Sequence, residues 1–200
     1  MTNAKFLFAT NNPGKVKEIR AIFSQGSYSV VSLAELGLSF EPTETGDTFL
    51  ENATQKATKV LEFLKAHGYD DIAVLADDSG LCIDALGGEP GVDSANYMGR
   101  ETPYKIRNAH IIKLLEGVQG RAAKFVCVIA CVYPNGQVVT TTGEMCGEIA
   151  HEILGDSGFG YDPIFYLPSY NKTSAQLTME EKNKISHRGK ALAAMIEVIS

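Results

Sequence analysis

Apolar and polar residues follow one another along this chain in patterns that predict both helices and strands. The longest helical pattern begins at Thr48, and its apolar stripe comprises Phe49, Ala53, Ala57, Val60 and Leu64. Short apolar runs that end at turn residues predict strands instead. We predict strands at 5–9, 29–33 and 72–76, helices at 16–23, 48–66, 103–115 and 186–199, and a short helix that begins near Thr178.

Two β-rich runs between residues 122 and 149 flank Asn135-Gly136, a dipeptide that strongly favours a tight turn between two strands. Because helices and strands mix throughout the chain, the pattern predicts an α/β fold. The 200 residues are 44% hydrophobic and can fill one sizeable core. We therefore expect one domain over residues 1–200, or two closely joined lobes.

Composition and charge exclude some classes of function. The formal net charge of −6 argues against binding a nucleic-acid duplex, which requires a basic face. No apolar run approaches the roughly 20 residues that span a membrane, and the N-terminus does not resemble a signal peptide, so we expect a cytoplasmic protein. The four cysteines and four histidines are not spaced like zinc ligands. Any metal should therefore be a hard cation bound by carboxylates.

A polar turn, Thr10-Asn11-Asn12-Pro13-Gly14-Lys15, lies between the first predicted strand and the first predicted helix. Helix N-termini present N–H groups and a positive dipole end, so this turn could bind phosphate oxygens, with Lys15 adding a point charge. The alternative is an ordinary capped helix, with Asn12 as the cap and Pro13 as the first helical residue.

Two acidic segments are further candidates. Asp77 and Asp78 end the strand predicted at 72–76, and such a pair is costly to bury unless it meets a cation such as Mg²⁺. The alternative is a turn capped by its own side chains. Glu44 precedes the long helix, on which Asn52 and Lys56 share a face. The alternative there is a solvated helix with an acidic start.

The C-terminal third carries a fourth candidate. Phe159 lies between two glycines and suits stacking on a planar ring, and Asp162 could accept hydrogen bonds from that ring. His187 and Arg188 offer donors for carbonyl or phosphate oxygens. A solvated basic surface is the alternative. Taken together, the four segments suggest a site for a nucleoside polyphosphate.

The segments TNNPGK, ETGDTFLENA, ADDSGL, LGGEPGVDSA, GFGYDP and ISHRGKAL occur in an order and spacing that resemble the inosine/xanthosine triphosphate pyrophosphatase family. The resemblance covers residues 6–192. It implies an elongated α/β fold with a central mixed β-sheet flanked by helices, two lobes, and an active-site cleft between the lobes. It also implies a homodimer, a Mg²⁺ cofactor, and hydrolysis of ITP, dITP or XTP, a small-molecule substrate, to the monophosphate and pyrophosphate.

Matching the motifs residue by residue gives each position an implied role. The phosphate cradle falls on the turn from Thr10 to Lys15, with Lys56 and Ser79 completing the phosphate surroundings. The implied proton acceptor is Asp78, and the implied metal ligands are Glu44, Asp77 and Asp78. Base recognition falls on Phe159, Gly160, Tyr161 and Asp162, while Lys182, His187 and Arg188 close over the base or the phosphates.

The residues leave two other functions open. A metal-dependent phosphatase or nucleotidyl transferase could use the same cation and lysines, but a phosphatase would release orthophosphate rather than pyrophosphate. A nucleotide sensor could keep the cradle without hydrolysis. Because both aspartates and all candidate lysines are present, the sequence favours an enzyme over a sensor.

Overall fold

The computed structural model describes residues 5–10, 12–23 and 28–199. Its strands are β1 (Lys5–Phe8), β2 (Ser29–Val31), β3 (Ala73–Ile83), β4 (Ala122–Val132), β5 (Val138–Ile149), β6 (Phe165–Leu167) and β7 (Lys172–Thr173). Within this described part, the seven strands form one sheet in the order β2-β1-β3-β4-β5-β6-β7. The sheet is mixed, since β1 runs parallel to β2 and β3, whereas β6 runs antiparallel to β5 and β7.

The α-helices of the described residues agree closely with the sequence patterns. They are α1 (Pro13–Phe23), α2 (Phe49–Ala66), α3 (Tyr104–Leu114), α4 (Met179–Ile185) and α5 (His187–Ile199). Thr48 and Glu51 form a capping box that starts α2, and Thr178 and Glu181 form one that starts α4. The predicted α/β class, with a mixed sheet and flanking helices, is confirmed. None of the helices in these ranges is both long and apolar enough to cross a bilayer.

The turn predicted at Asn135-Gly136 is confirmed, because the N–H of Tyr133 donates to the carbonyl of Gln137 and links the ends of β4 and β5. The first helix begins three residues earlier than predicted. Asn12 Oδ1 accepts the N–H groups of Gly14 at 2.9 Å and Lys15 at 3.3 Å, so Asn12 is the cap and Pro13 the first helical residue.

The prediction that a strand ends at residue 76 in a turn is wrong. β3 continues through Asp77, Asp78, Ser79 and Gly80 to Ile83. The apolar residues Leu81 and Ile83 resume the period-2 pattern beyond the aspartates, and contacts described below offset the cost of burying the two carboxylates. The second strand is shorter than predicted and ends at Val31.

The chain divides into two compact units. Unit 1 comprises Met1–Asp78, Cys127–Gly143 and Arg188–Ser200, and unit 2 comprises Ser79–Val126 and Glu144–His187. Among its described residues, unit 1 has two apolar clusters: one contains side chains of α2, and the other contains side chains of α1 and α5. Unit 2 has a single cluster among its described residues, which includes Ile111 of α3 and Phe165 of β6. Each unit therefore has a core of its own.

Candidate active site

Unit 1 brings Lys15 and Asp77, which lie 62 positions apart, into contact. Lys15 Nζ is 2.8 Å from Asp77 Oδ2 and 3.0 Å from Asp77 Oδ1. Lys15 lies in the first turn of α1, and its position follows from the Asn12 cap that starts the helix. Because β3 continues past residue 76, the Asp77 carboxylate is held by a regular strand rather than by a turn.

Arg188, at the start of α5, forms the second cationic contact of Asp77. Its Nε and Nη2 are each 3.3 Å from Asp77 Oδ2, and its Nη1 donates to Glu18 Oε2. Asp77 is completely buried. Burial by itself would raise the pKa of Asp77, but Lys15, Arg188 and Lys56 outweigh burial and hold this pKa well below its usual range. Asp77 is therefore ionised in the neutral range.

Asp78 has a different environment, although it is the next residue. Its Oδ2 accepts a hydrogen bond of 3.1 Å from Asn52 Nδ2. Burial raises the pKa of Asp78 to about 6; Lys56 and the Asn52 hydrogen bond oppose this increase, whereas the negative charge of Glu44 adds to it. A carboxylate with a pKa near 6 can accept a proton in the neutral range more readily than an ordinary aspartate.

Lys56 lies on α2 between the two acidic segments. Its Nζ donates to the backbone carbonyl of Asp77 at 2.9 Å and is 2.7 Å from Glu44 Oε1. Burial would lower the pKa of Lys56, but the charges of Asp77 and Glu44 raise it above its ordinary value. The ammonium is therefore charged and fixed beside the carboxylates.

Mg²⁺ fits part of this donor set. In residues 5–10, 12–23 and 28–199, no group of three or more His, Cys, Asp and Glu side chains is arranged to hold a metal by itself. However, protein-bound Mg²⁺ commonly takes one or two carboxylates and completes its shell with water and substrate phosphates. Glu44 and Asp78 suit that arrangement, since Glu44 is near enough to act with burial in raising the pKa of Asp78. Asp77 suits it less, because Lys15 and Arg188 already bind its carboxylate.

The structure describes part of the predicted phosphate cradle, the turn from Thr10 to Lys15. Asn11 lies outside the described residues. Thr10 Oγ1 accepts the N–H of Asn12 at 3.2 Å, and the N–H groups of Gly14 and Lys15 donate to Asn12 Oδ1. These two N–H groups are thus bound to the cap of their own helix. Among the cradle residues that the structure describes, Lys15 lies against the carboxylate cluster.

Unit 2 holds the other group of predicted residues, centred on Asp162. Asp162 Oδ2 accepts from Lys182 Nζ at 2.7 Å and from the N–H of Phe159 at 2.9 Å, while Oδ1 accepts from Ser174 Oγ at 2.9 Å. Lys182 Nζ also lies 4.9 Å from the centroid of the Phe159 ring. Both carboxylate oxygens therefore bind protein groups, and they hold Phe159 and Lys182 side by side.

The remaining predicted residues of unit 2 are mostly buried. Tyr161 is 3% exposed, and its hydroxyl donates to the carbonyl of Ser94 at 2.8 Å. The carbonyl of Gly160 accepts from Asn108 Nδ2 at 3.2 Å. The His187 ring stacks on Phe125, with the ring centroids 4.8 Å apart. Ser79, the residue after Asp78 on β3, is half-buried.

Glu18, Asn52 and Ser174 bind charged residues of these clusters and were not among the predicted site residues. Glu18 lies three residues after Lys15 on α1, and this helical spacing was the available signal. Asn52 was recognised only as a neighbour of Lys56, and its contact with Asp78 spans 26 positions. Ser174 begins a short 3-10 helix and offers no sequence signal, because serine is common at such positions.

Comparison with known proteins agrees with the order of motifs along the chain. The model of the Ham1 family matches residues 6–198. The chain belongs to the Ham1 family. This membership confirms the resemblance that the motifs carry.

Individual relatives are similar to this chain over nearly their whole length. The dITP/XTP pyrophosphatase of Desulforamulus reducens is 47% identical over 198 residues, which are 98% of this chain and 96% of that protein. The Ham1 protein of Staphylococcus aureus has a TM-score of 0.84 at 39% identity, covering 98% of this chain and all of that one. The Ham1 protein of Coxiella burnetii has a TM-score of 0.86 at 37% identity, covering 98% of each chain.

Proposed function

We propose that this chain hydrolyses the non-standard purine nucleoside triphosphates dITP, ITP and XTP to the nucleoside monophosphate and pyrophosphate. Relatives of nearly equal length carry the name dITP/XTP pyrophosphatase. The observation that carries the proposal is the cluster in unit 1, where Lys15 and Lys56 lie against the Asp77-Asp78 pair. Ammonium groups beside a carboxylate of raised pKa suit an attack by water on a phosphate.

Each residue of the cluster has a proposed role. Lys15 and Lys56 stabilise the negative charge that develops toward the leaving pyrophosphate. Asp78 aligns a water molecule and takes its proton as the water attacks the α-phosphorus. Asp77 and Arg188 form the buried ion pair that holds Lys15 in place, so we assign them to positioning rather than to proton transfer.

We propose Mg²⁺ as the cofactor, with Glu44 and Asp78 holding it together with phosphate oxygens and water. When bound, the ion neutralises charge on the polyphosphate. Asp77 was also predicted as a ligand, but its ion pairs with Lys15 and Arg188 support a different role.

Base selectivity is proposed to depend on matched donors and acceptors. Hypoxanthine and xanthine have an acceptor oxygen at C6, where adenine has a donor amino group. Phe159 would stack on the base, and Lys182 and the His187 region would supply donors to the C6 oxygen, with Asp162 holding Lys182. A buried mismatch costs about 1–3 kcal/mol per group, and a site built on such pairs can discriminate strongly.

We also propose, from the family resemblance, that the protein works as a homodimer on the cytoplasmic nucleotide pool. Light scattering after size-exclusion chromatography measures the mass directly. A value near twice the 21.6 kDa of one chain supports the dimer, and a value near 21.6 kDa contradicts it.

The function is tested by measuring pyrophosphate release from dITP, XTP, ITP, GTP and ATP, with Mg²⁺ and with EDTA. We expect Mg²⁺-dependent release that is fast for dITP, ITP and XTP and slow for ATP. Release of orthophosphate instead would support the phosphatase alternative. Tight binding of dITP without turnover would support the sensor.

The role of Asp78 is tested by Asp78→Asn, which keeps the size of the side chain and its acceptor for Asn52 but removes both the base and the charged metal ligand. We expect kcat for XTP to fall by roughly 100-fold or more, while KM stays within about threefold. Steady-state kinetics at saturating Mg²⁺ measure both constants. A kcat within about threefold of wild type would remove Asp78 from the chemistry.

A further inference from the structure

Asn52 lies in the first turns of α2 and is 5% exposed, although its side chain is polar. Both ends of its amide are bound. Oδ1 accepts the N–H of Gly46 at 2.8 Å, and Nδ2 donates to Asp78 Oδ2 at 3.1 Å. A single buried side chain therefore links the acidic segment that carries Glu44 to the proposed catalytic carboxylate.

The orientation of this amide follows from its partners. The backbone N–H of Gly46 can only donate, so the amide oxygen must face it, and the NH₂ group then faces Asp78. A carboxylate accepts such a donor with either oxygen, and the observed bond uses Oδ2. Rotating the amide by half a turn would place two donors together at Gly46, so this arrangement is the favourable one.

The backbone around Asn52 allows little displacement. A Cβ at Gly46 would lie 2.6 Å from Glu51 Cβ and 2.9 Å from Asn52 Oδ1, so the segment packs directly against the helix. Glu51 Oε2 also accepts the N–H groups of Asp47 and Thr48, which fixes the start of α2. The donor that reaches Asp78 is therefore held from both sides.

We infer that Asn52 is a positioning residue for the hydrolysis: its amide fixes the rotation of the Asp78 carboxylate and ties the Glu44 segment to it. The inference rests on the proposed function. It assigns Asn52 no contact with substrate, so its loss should reduce kcat rather than the affinity for the nucleotide.

Two substitutions separate the two hydrogen bonds. Asn52→Asp is isosteric and keeps the acceptor for Gly46, but it puts a carboxylate oxygen in place of the NH₂ group that donates to Asp78. Asn52→Leu has a similar volume and removes both bonds. Because small displacements of a catalytic group can cost about 100-fold, we expect both variants to lose about 10- to 100-fold in kcat for XTP, with KM within about threefold.

Gln55→Met is the matched control, because Gln55 holds the same acidic segment without touching Asp78. Its Oε1 accepts from the N–H of Thr45 at 3.3 Å and from Thr45 Oγ1 at 3.2 Å. We expect its kcat to remain within about twofold of wild type. If Gln55→Met and Asn52→Leu reduce kcat equally, holding the segment explains the effect and the inference is overturned.

A double-mutant cycle with Asp78→Asn decides between positioning and general damage. If Asn52 acts through Asp78, adding Asn52→Asp to Asp78→Asn lowers kcat no further. If the losses in kcat from the two substitutions multiply in the double variant, the inference is overturned. It is also overturned if Asn52→Asp has the kcat of wild type.

Thermal unfolding of each variant shows whether it is folded. If Asn52→Leu does not fold, the isosteric Asn52→Asp still provides the answer. A wild-type protein that releases no pyrophosphate overturns the proposed function itself, whereas an active wild type with an unaffected Asn52→Asp overturns only this inference.

Discussion

At the scale of single residues, Asp77 and Asp78 differ more than any pattern in the sequence indicates. Successive residues of a strand point to opposite faces. Asp77 therefore faces Lys15 and Arg188, whereas Asp78 faces Asn52 and the Glu44 segment. Cations lower the pKa of Asp77 despite its burial, and burial raises the pKa of Asp78 to about 6. Identical neighbouring side chains are thus a fixed anion and a titratable acid.

The raised pKa of Asp78 predicts that this residue destabilises the protein at neutral pH. In the unfolded chain its pKa is about 3.9, so between pH 4 and 6 the folded state binds more protons and stability falls as pH rises. A pKa difference of about 2 corresponds to about 3 kcal/mol at pH 8. We therefore expect Asp78→Asn to increase the free energy of unfolding by about 1–3 kcal/mol at pH 8, measured by urea unfolding in EDTA.

The gain in unfolding free energy from Asp78→Asn should shrink as the pH is lowered. It should nearly vanish at pH 4, because Asp78 of the folded wild type is then protonated and uncharged. Asp70 is exposed, so Asp70→Asn serves as the control and should change stability little at either pH. An Asp78→Asn variant that is less stable than wild type at pH 8 would contradict this account.

At the scale of elements, the segment from Gly158 to Asp162 depends on glycine for close packing. Gly158 has a φ of +78°, and a Cβ there would overlap the Asp162 carboxyl group. The same carboxyl group accepts the N–H of Phe159 and the ammonium of Lys182. The turn can therefore close on Asp162 only because residue 158 has no side chain.

Gly158→Ala should consequently damage the turn beyond the ordinary cost of a left-handed alanine, which is about 1–2 kcal/mol. Gly88→Ala is the matched control in the same unit, since Gly88 has a φ of +95° and a Cβ added there would meet no atom within 4 Å. We expect Gly158→Ala to lower Tm more than Gly88→Ala and to raise KM for XTP several-fold. Equal effects of the two substitutions on Tm and KM would argue against a role for the Asp162 contact.

At the scale of the whole molecule, one ion network joins distant parts of the chain. Arg188 and Glu18 lie 170 positions apart, and Arg188 and Asp77 lie 111 apart, yet all three are buried in unit 1. Unit 1 is built from three separate chain segments, and this network connects two of them. The C-terminal helix α5 is therefore part of the site's construction.

Arg188→Met should strongly destabilise the protein, because it leaves Glu18 and Asp77 buried without the guanidinium. Removing one partner of a buried ion pair costs about 3–5 kcal/mol. Arg20→Met removes the exposed pair with Glu35, whose side chains are about half exposed, and should cost about 0–1 kcal/mol. Urea unfolding at pH 7.5 measures both, and a similar loss in the two variants would refute the proposed importance of burial.

Sequence patterns predicted local elements well and tertiary contacts poorly. Some elements depend only on residues within a few positions and can be recognised in the sequence. They are the capping boxes at Thr48 and Thr178 and the Asn135-Gly136 turn. The extent of β3 was missed, because two consecutive aspartates resemble a turn when their partners are unknown. Those partners come from α1, α2 and α5, and no local sequence pattern indicates that they contact the aspartates.

The amino-acid sequence by itself determined the α/β class, most helix boundaries, the family motifs and the polar residues from which a nucleotide site could be built. These depend on short-range periodicity, capping and composition. Only the tertiary structure decided that Lys15 and Arg188 pair with Asp77, that Asn52 binds Asp78, and that Asp162 holds Lys182. These contacts depend on burial and on interactions between charged or polar groups 20 to 111 positions apart, and both arise only once the chain has folded.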